Sequence, residues 1–287
     1  MADTPQSLES LKAWVGRSES LHDEITAAPL RALAATLDRD DPPAQRGTPV
    51  PPLAHWLYFL PTHRESEIGP DGHAKRGGFL PPVPLPRRMW AGGRLHWDVA
   101  NPLRVGDDVR RDSRIASVEH KHGRSGDLVF VTVLHEISNA RGVSVTEEHD
   151  IVYRAAVQPG DAPAPPAAAP SNAQWQRDIT PDEVLLFRYS ALTFNGHRIH
   201  YDRRYVTEVE GYPGLIVHGP LIATLLVDLV RRSAPDAQIE RFEFKALRPT
   251  FDGHTMRVCG TRAGQQVELW SQDHEGWLTM RGKAQLA

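Results

Sequence analysis

One segment of the chain is apolar on almost every side. Residues 219–232 read GPLIATLLVDLVRR, with a proline just inside the start and two arginines in the last turn, as is typical of α-helix ends. A helix without a wide polar face has to be buried on most sides. Strand-like segments follow at residues 239–247, 255–261, 266–271 and 277–285. We therefore predict a sheet that curls around one central helix.

The first half of the chain has a similar order of elements. It contains helical segments at residues 8–15, 29–37 and 51–60, a loop at 64–87, and strand-like segments at 105–119, 128–136 and 143–154. Short turns between these strands predict an antiparallel meander. Residues 157–172 are rich in proline and alanine, which is typical of a semi-extended linker. The predicted units are residues 1–156, the linker 157–172 and residues 173–287.

The composition limits the classes of function. The 287 residues are 40% hydrophobic and 24% charged, as in globular domains, and a net charge of −3 gives no basic surface for nucleic acid. No apolar run approaches the roughly 18 residues of a membrane span, and the first residues do not have the pattern of an export signal. The single cysteine, Cys259, cannot form an internal disulfide. We therefore expect a reducing, cytoplasmic location.

Three histidines precede or open the central helix. His197 and His200 lie in RYSALTFNGHRIHYD, residues 188–202, and His218 lies in YPGLIVHGP, residues 212–220. The start of a helix offers unpaired backbone N–H groups that stabilise an oxygen on which negative charge develops. A histidine base beside such an anion site is typical of an enzyme.

These segments resemble the MaoC-like hot-dog hydratases and dehydratases. The similarity is strongest to the double-hot-dog branch, which includes hydroxyacyl-thioester dehydratase type 2 and the mesaconyl- and itaconyl-CoA hydratases. The hydratase pattern G-D-x-N-P-(L/I/V)-H-x-(D/N) aligns with FNGHRIHYD at residues 194–202. Residues 217–219, VHG, match the opening of the hot-dog helix, and residues 86–97, PRRMWAGGRLHW, look like a segment of the double branch. The resemblance implies an α+β double hot-dog, with the antiparallel sheet of each half wrapped around a central helix.

The resemblance also implies a set of catalytic residues in the second half. His200 would be the general base toward water, and Asn195 would fix that water. Asn195 stands where the family has a catalytic aspartate, and an amide can orient water but cannot take its proton. The role of His197, which replaces the family's asparagine, stays open between catalysis and structure. Asp202 would support the loop.

Further residues are candidates for substrate binding. Backbone amides around His218 and Gly219 would bind the thioester oxygen, with the His218 side chain packed at the helix entry. If the substrate is a dicarboxylic monothioester, Arg188 or Arg198 would hold its free carboxylate, the alternative being an ordinary surface ion pair. Arg87, Arg88, Trp90 and Arg94 would line the thioester tunnel, the alternative for Trp90 being a place in the core.

No metal or other cofactor is expected from the sequence. No cysteine or well-spaced carboxylate completes a ligand set around His197 and His200. The expected partner is an acyl-CoA or an acyl-carrier protein, with no nucleic acid and no membrane. Family behaviour suggests a homo-oligomer, such as a homodimer.

Several functions are compatible with these motifs. The first is hydration of a mesaconyl- or itaconyl-type enoyl-CoA. The alternatives are a 3-hydroxyacyl-ACP or -CoA dehydratase of the fatty-acid-synthesis type, a hot-dog acyl-CoA thioesterase and a non-catalytic acyl-binding module. A thioesterase usually has a carboxylate on the central helix, where this chain has Asp228.

Overall fold

The computed structural model describes residues 8–123, 126–155 and 165–287. The strands are β1 (Ser18–Glu24), β2 (Arg87–Trp97), β3 (Asp108–Gly123), β4 (Gly126–Asn139), β5 (Gly142–Arg154), β6 (Trp175–Ile179), β7 (Ile239–Ala246), β8 (Met256–Ala263), β9 (Gln266–Gln272) and β10 (Leu278–Leu286). The α-helices are α1 (Ala27–Thr36), α2 (Glu183–Leu192) and α3 (Gly219–Ser233). In this described part of the chain, no helix has the length and apolar character needed to cross a bilayer.

The ten strands form one antiparallel sheet that contains the same unit twice. Its strand order is β1-β3-β4-β5-β2-β7-β10-β9-β8-β6. Within each half, the first strand therefore lies at an outer edge and the second strand lies at the centre. The halves join where β2 pairs with β7, from Gly92 opposite Lys245 to His96 opposite Arg241. The predicted α+β double hot-dog is confirmed by this repeated arrangement.

Glycine is required where the two halves meet. A Cβ atom at Gly92 would overlap the carbonyl oxygen of Phe244 on the neighbouring strand. A side chain at this position would force β2 and β7 apart, because the overlap is with backbone rather than with a flexible side chain.

Helix α3 is the central helix of the second half. Ten consecutive residues of this helix, from Leu221 to Val230, are buried. It packs against β6, β8, β9 and β10. The prediction made from its all-round apolar sequence is therefore confirmed, and the helix begins where the candidate catalytic segments end.

The first half has a smaller helical element. Helix α1 is the one α-helix between β1 and β2, a stretch that the structure describes throughout, and its buried residues are Leu30 and Leu33. It packs against α2 of the second half. The predicted helix at residues 8–15 is the 3₁₀ segment Leu8–Trp14. The predicted helix at 51–60 is reduced to the 3₁₀ segment Ala54–Leu57, because Pro51 and Pro52 precede it and Leu53 and Phe59 have positive φ angles.

The predicted linker is only partly described. Residues 156–164 lie outside the described residues. The end of the linker is packed against the second half, since Ala168 pairs with Trp277 and Ala169 contacts a small buried cluster that contains Trp270.

Candidate active site

The connection between α2 and α3 carries the hydratase-like motif. Helix α2 starts at a conventional cap, because the Asp182 side chain accepts the N–H of Leu185 at 2.8 Å. After the helix ends, the N–H of Asn195 donates to the carbonyl of Ser190 at 2.8 Å. The Oδ1 atom of Asn195 accepts the backbone N–H of His197 at 3.0 Å. These bonds turn the chain into the 3₁₀ segment Arg198–His200.

His200 has the geometry of a general base. Its Nδ1 donates to the carbonyl of Ile216 at 2.7 Å, which fixes the ring tautomer and leaves Nε2 with a free lone pair. The residue is 7% exposed. Burial lowers the pKa of His200 to about 4. The imidazole is therefore neutral at pH 7 and able to accept a proton.

The His218 ring packs against the His200 ring. It is fully buried, and its ring stacks on that of His200 with 3.7 Å between centroids. Its Nε2 is 2.8 Å from the hydroxyl oxygen of Ser190. Burial keeps the pKa of His218 well below its ordinary value, so the ring adds no charge beside His200.

The backbone after His218 supplies hydrogen-bond donors. His218 is the N-cap of α3, which begins at Gly219. The N–H groups of Gly219 and Leu221 have no acceptor within the helix, and Pro220 has no N–H. The site also adjoins the first half, since the Trp90 carbonyl oxygen is 4.0 Å from the position that a Cβ atom on Gly219 would occupy.

The Asp202 and Arg198 side chains brace the motif loop. Asp202 accepts the N–H of Tyr205 at 3.0 Å and two N–H groups of Arg198, at 2.7 and 3.0 Å. A third donor of Arg198 bonds the carbonyl of Pro70 at 3.0 Å. The guanidinium also lies over the ring of Tyr205. The structure thus gives Arg198 and Asp202 internal partners, as the loop-supporting role of Asp202 requires.

The remaining predicted residues are Arg188, on α2, and Trp90, on β2. Arg188 is exposed on α2. Trp90 is half-buried in β2, where it stacks on His149 with 3.8 Å between ring centroids. Its Nε1 donates to the carbonyl of Gly92 at 2.8 Å. Trp90 is therefore part of the wall between the two halves.

Two further candidate residues come from a loop of the first half. Asp71 and His73 lie close to His197, and the His73 and His197 rings are 3.9 Å apart between centroids. One ligand atom from each of these three residues lies within 4.8 Å of the others, close enough to hold a metal ion. The sequence provided no signal for this group, because the loop has no periodic pattern and lies in the other half of the chain.

A further candidate is Arg88 on β2, which lies in the segment at residues 86–97 that resembles the double-hot-dog branch. It lies opposite Tyr153 in the strand register, and its guanidinium interacts with the Tyr153 hydroxyl. Burial lowers the pKa of His73, His149 and His197, and the positive charge of Arg88 contributes to each shift. No carboxylate among the described residues lies within ion-pair distance of Arg88. Its guanidinium is therefore available to an anionic ligand.

The histidines of the site differ in exposure. His200 is 7% exposed, whereas the His73 side chain is 26% exposed. Two surface cavities, of about 770 and 550 Å³, lie away from this group, since none of His73, His197, His200 and His218 lines them.

Residues 53–252, well over half of the chain, match the model of the hydroxyacyl-thioester dehydratase type 2 family. The chain belongs to this family. This dehydratase-family chain is 44% identical to mesaconyl-C(4)-CoA hydratase of Chloroflexus aurantiacus, over 96% of its own length and 97% of the relative's. It is 27% identical to the mitochondrial hydroxyacyl-thioester dehydratase type 2 of Schizosaccharomyces pombe, over 87% of its own length and 91% of the relative's.

Solved structures agree on the fold of this dehydratase-family chain. A MaoC-like dehydratase from Phytophthora capsici has a TM-score of 0.71 at 12% identity and covers 98% of both chains. A Mycobacterium tuberculosis protein described as a double hot-dog has a TM-score of 0.55 at 13% identity, covering 95% of this chain and 96% of the other. The resemblance predicted from the motif residues is confirmed.

Asp228 is the carboxylate on which the thioesterase alternative depends, and in this family member it is bound by three arginines. It is 1% exposed. Arg39, Arg177 and Arg232 donate to its oxygens at 2.6, 2.9 and 2.7 Å. A buried carboxylate in such a cluster is neutralised by its partners and anchors the helix. Bound by three arginines and closed to solvent, Asp228 has the contacts of a structural residue.

Proposed function

We propose that this family member catalyses the reversible hydration of the α,β double bond of a short enoyl-CoA that carries a free carboxylate, of the mesaconyl or itaconyl type. The observation that carries this proposal is the neutral His200 ring, whose Nδ1 is bound to Ile216 and which stacks on His218, the N-cap of α3. The relative from Chloroflexus aurantiacus supports the substrate class.

The proposed reaction uses one base and one anion site. His200 Nε2 takes a proton from water as the water oxygen bonds to Cβ, and the π electrons move toward the thioester oxygen. The Gly219 N–H stabilises the resulting enolate charge, an effect of about 3–4 kcal/mol at comparable oxyanion sites. The protonated His200 then returns its proton to Cα. The Asn195 amide N–H donates to the oxygen of the attacking water and helps to hold it, while its Oδ1 accepts the His197 N–H.

A panel of thioesters tests the reaction type. We expect mesaconyl- and itaconyl-type CoA esters to lose the absorbance of the conjugated double bond, with crotonyl-CoA and 3-hydroxyacyl-carrier protein turned over more slowly. Release of free thiol would instead indicate a thioesterase. Binding without either change would indicate an acyl-binding module.

Arg88 is the guanidinium that we assign to the free carboxylate. Arg198 already has three donors bonded within its loop, and Arg188 is exposed on α2. Arg88 is half-buried and lies on β2 near His73 and His197. A charge-assisted hydrogen bond to a carboxylate contributes about 1.5–3 kcal/mol.

Replacing Arg88 by methionine should therefore lower kcat/KM for the dicarboxylic thioester by about 10- to 100-fold. The same variant should leave kcat/KM for crotonyl-CoA within about threefold, because that substrate has no carboxylate to lose. Arg94→Met is the matched control, since Arg94 lies on the same strand in exposed ion pairs with Glu148 and Asp150. Equal losses on both substrates would argue against carboxylate recognition by Arg88.

We also propose that the protein works in the cytoplasm as a homodimer. The single cysteine, Cys259, is a buried free thiol, which supports a reducing compartment. Val184 and Phe187 are each 63% exposed on one face of α2. This apolar face supports contact with a second copy of the chain.

A further inference from the structure

The hydration proposed above leaves one requirement unmet by the motif residues. Water has two hydrogens, of which one is transferred to His200. The other has to be held by a second acceptor, because the oxygen lone pair must point at Cβ. The family's carboxylate at this position is Asn195 here, and its Oδ1 already accepts the N–H of His197. An acceptor for the second hydrogen of the water would therefore come from a segment outside the motif.

A loop of the first half is docked against the motif loop. The backbone N–H of Arg198 donates to the carbonyl of Asp71 at 2.9 Å, and the Arg198 guanidinium bonds the carbonyl of Pro70. Gly72 has a φ of +88°, and a Cβ atom on it would overlap the carbonyl oxygen of Gly196. The two loops thus meet through their backbones, which brings the Asp71 and His73 side chains to the histidines of the second half.

Asp71 holds His73 in one orientation. Its carboxylate accepts the backbone N–H of His73 at 3.0 Å and lies 3.0 Å from the ring Nδ1. With Nδ1–H directed to the carboxylate, Nε2 of His73 is an acceptor. Burial lowers the pKa of His73, so the ring is neutral and keeps this lone pair. Burial alone would raise the pKa of Asp71, but the hydrogen bonds from His73 hold that pKa below its ordinary value.

The ring of His73 lies within the histidine group. It contacts His197, whose ring is edge-on to that of His200 with 5.5 Å between centroids. Its charge state also influences His200 directly. An acceptor on His73 is therefore close to the base that removes the other hydrogen of the water.

We propose that Asp71 and His73 form a carboxylate–imidazole dyad that takes over the water-holding function of the missing family carboxylate. His73 Nε2 accepts a hydrogen bond from the attacking water, or from the 3-hydroxyl group in the reverse reaction. One proton passes from water to His200 and then to Cα, and the other stays on the oxygen. Asp71 is a positioning residue that acts through His73. This inference rests on the proposed hydratase function.

The dyad can be tested with Asp71→Asn and His73→Ala. We expect each variant to lower kcat for the dicarboxylic enoyl-CoA by about 10- to 100-fold, with KM within about threefold, because the water is misaligned while the thioester still binds. His73→Gln, whose side-chain oxygen can accept from water, should recover part of the kcat lost in His73→Ala. Asp127→Asn and His120→Ala are matched controls, since these residues form a similar pair at 2.8 Å between β3 and β4.

Rescue by glutamine separates this role from a merely structural one. A structural defect of the loop would affect His73→Gln as much as His73→Ala, because neither side chain restores the imidazole contacts with Asp71 and His197. Equal kcat values in these two variants would therefore overturn the dyad.

Three other outcomes would also overturn the dyad. If the wild type is active and both Asp71→Asn and His73→Ala keep kcat within threefold of it, the dyad is contradicted and the hydratase function is not. A wild type inactive on the whole panel would remove both. Loss of wild-type activity with EDTA, restored by Zn²⁺, would assign Asp71, His73 and His197 to a metal ion instead.

Discussion

Replacing His200 by alanine is expected to lower kcat by about 10²- to 10⁴-fold, the usual contribution of a general base. The variant removes the imidazole whose Nε2 is free to take a proton from water, and His218 is a poor replacement because burial keeps its pKa well below the ordinary value. KM should change little, because the amides of α3 and the guanidinium of Arg88 are untouched. Steady-state kinetics on the best substrate of the panel measures both constants.

A structural cost accompanies this substitution and has to be separated from the chemistry. Without the His200 ring, the carbonyl of Ile216 loses its donor and His218 loses its stacking partner. An unpaired buried acceptor costs about 1–3 kcal/mol, so kinetics should be measured where thermal unfolding confirms a folded variant. His96→Ala is the control, since His96 lies on β2 with 46% of its side chain exposed. A folded His200→Ala variant with more than a tenth of wild-type kcat would exclude His200 as the base.

The elements that could be predicted from sequence are those whose own residues demand burial. Helix α3 was expected at residues 219–232 and is observed at Gly219–Ser233, because its apolar surface leaves no alternative to a surrounding sheet. The four strands after it were also expected, each within about two residues at either end. Their apolar positions supply the inner face that contacts α3.

The elements that were missed have weak local signals. Edge strand β6, WQRDI, alternates between half-buried and exposed positions and has no buried residue. Strand β2 contains two glycines and several arginines, a composition that is uncommon in strands. It becomes a strand because β5 and β7 pair with it on either side. Pairing between the two halves is a tertiary effect that local periodicity does not report.

The residues of the candidate site also fall into those that the sequence predicted and those that it did not. His200, Asn195 and Gly219 were found because a contiguous motif and a helix start contain them. Asp71 and His73 could not be found, because they reach the site only through backbone contacts between two loops of different halves. What the sequence did reveal was a missing carboxylate at Asn195, and the structure brings the carboxylate of Asp71 to the same group of histidines.

The buried histidines also predict a strong loss of stability in mild acid. Burial lowers the pKa of His135 to about 3, of His149 to about 4, of His197 to about 2 and of His200 to about 4. In the unfolded chain these groups take up protons near pH 6.5. Their stabilising effect is therefore fully present above pH 6.5 and is lost as the pH falls toward the lowered folded-state values.

The size of this loss follows from proton linkage. A group with a folded-state pKa of about 4 reduces the free energy of unfolding by about 1.4 kcal/mol per pH unit below 6.5, or about 3 kcal/mol by pH 4. His149 and His200 alone would contribute about 6 kcal/mol, which is a large part of the roughly 5–15 kcal/mol that stabilises a typical protein. We expect the urea midpoint to fall steeply between pH 6.5 and 4.

A buried carboxylate extends the same trend to lower pH. Burial would raise the pKa of Glu147, but its hydrogen bond with His55 holds that pKa at about 2. Its stabilising effect is present above pH 4.5 and is lost as the pH falls toward 2. Protonation of Glu147 and of the histidines thus lowers the free energy of unfolding in the same direction as the pH falls.

His149→Phe identifies the source of the acid sensitivity. Phenylalanine keeps an aromatic ring against Trp90 but cannot take up a proton when the chain unfolds. Between pH 6.5 and 4, the dependence of the unfolding free energy on pH should therefore decrease by about one proton, or about 1.4 kcal/mol per pH unit. His63→Phe, at an exposed side chain, should leave the slope unchanged. If the unfolding free energy of wild type and of His149→Phe depended equally on pH, His149 would already be protonated in the folded chain. The ion pair between His149 and Glu147 would then offset the cost of burying the charged ring.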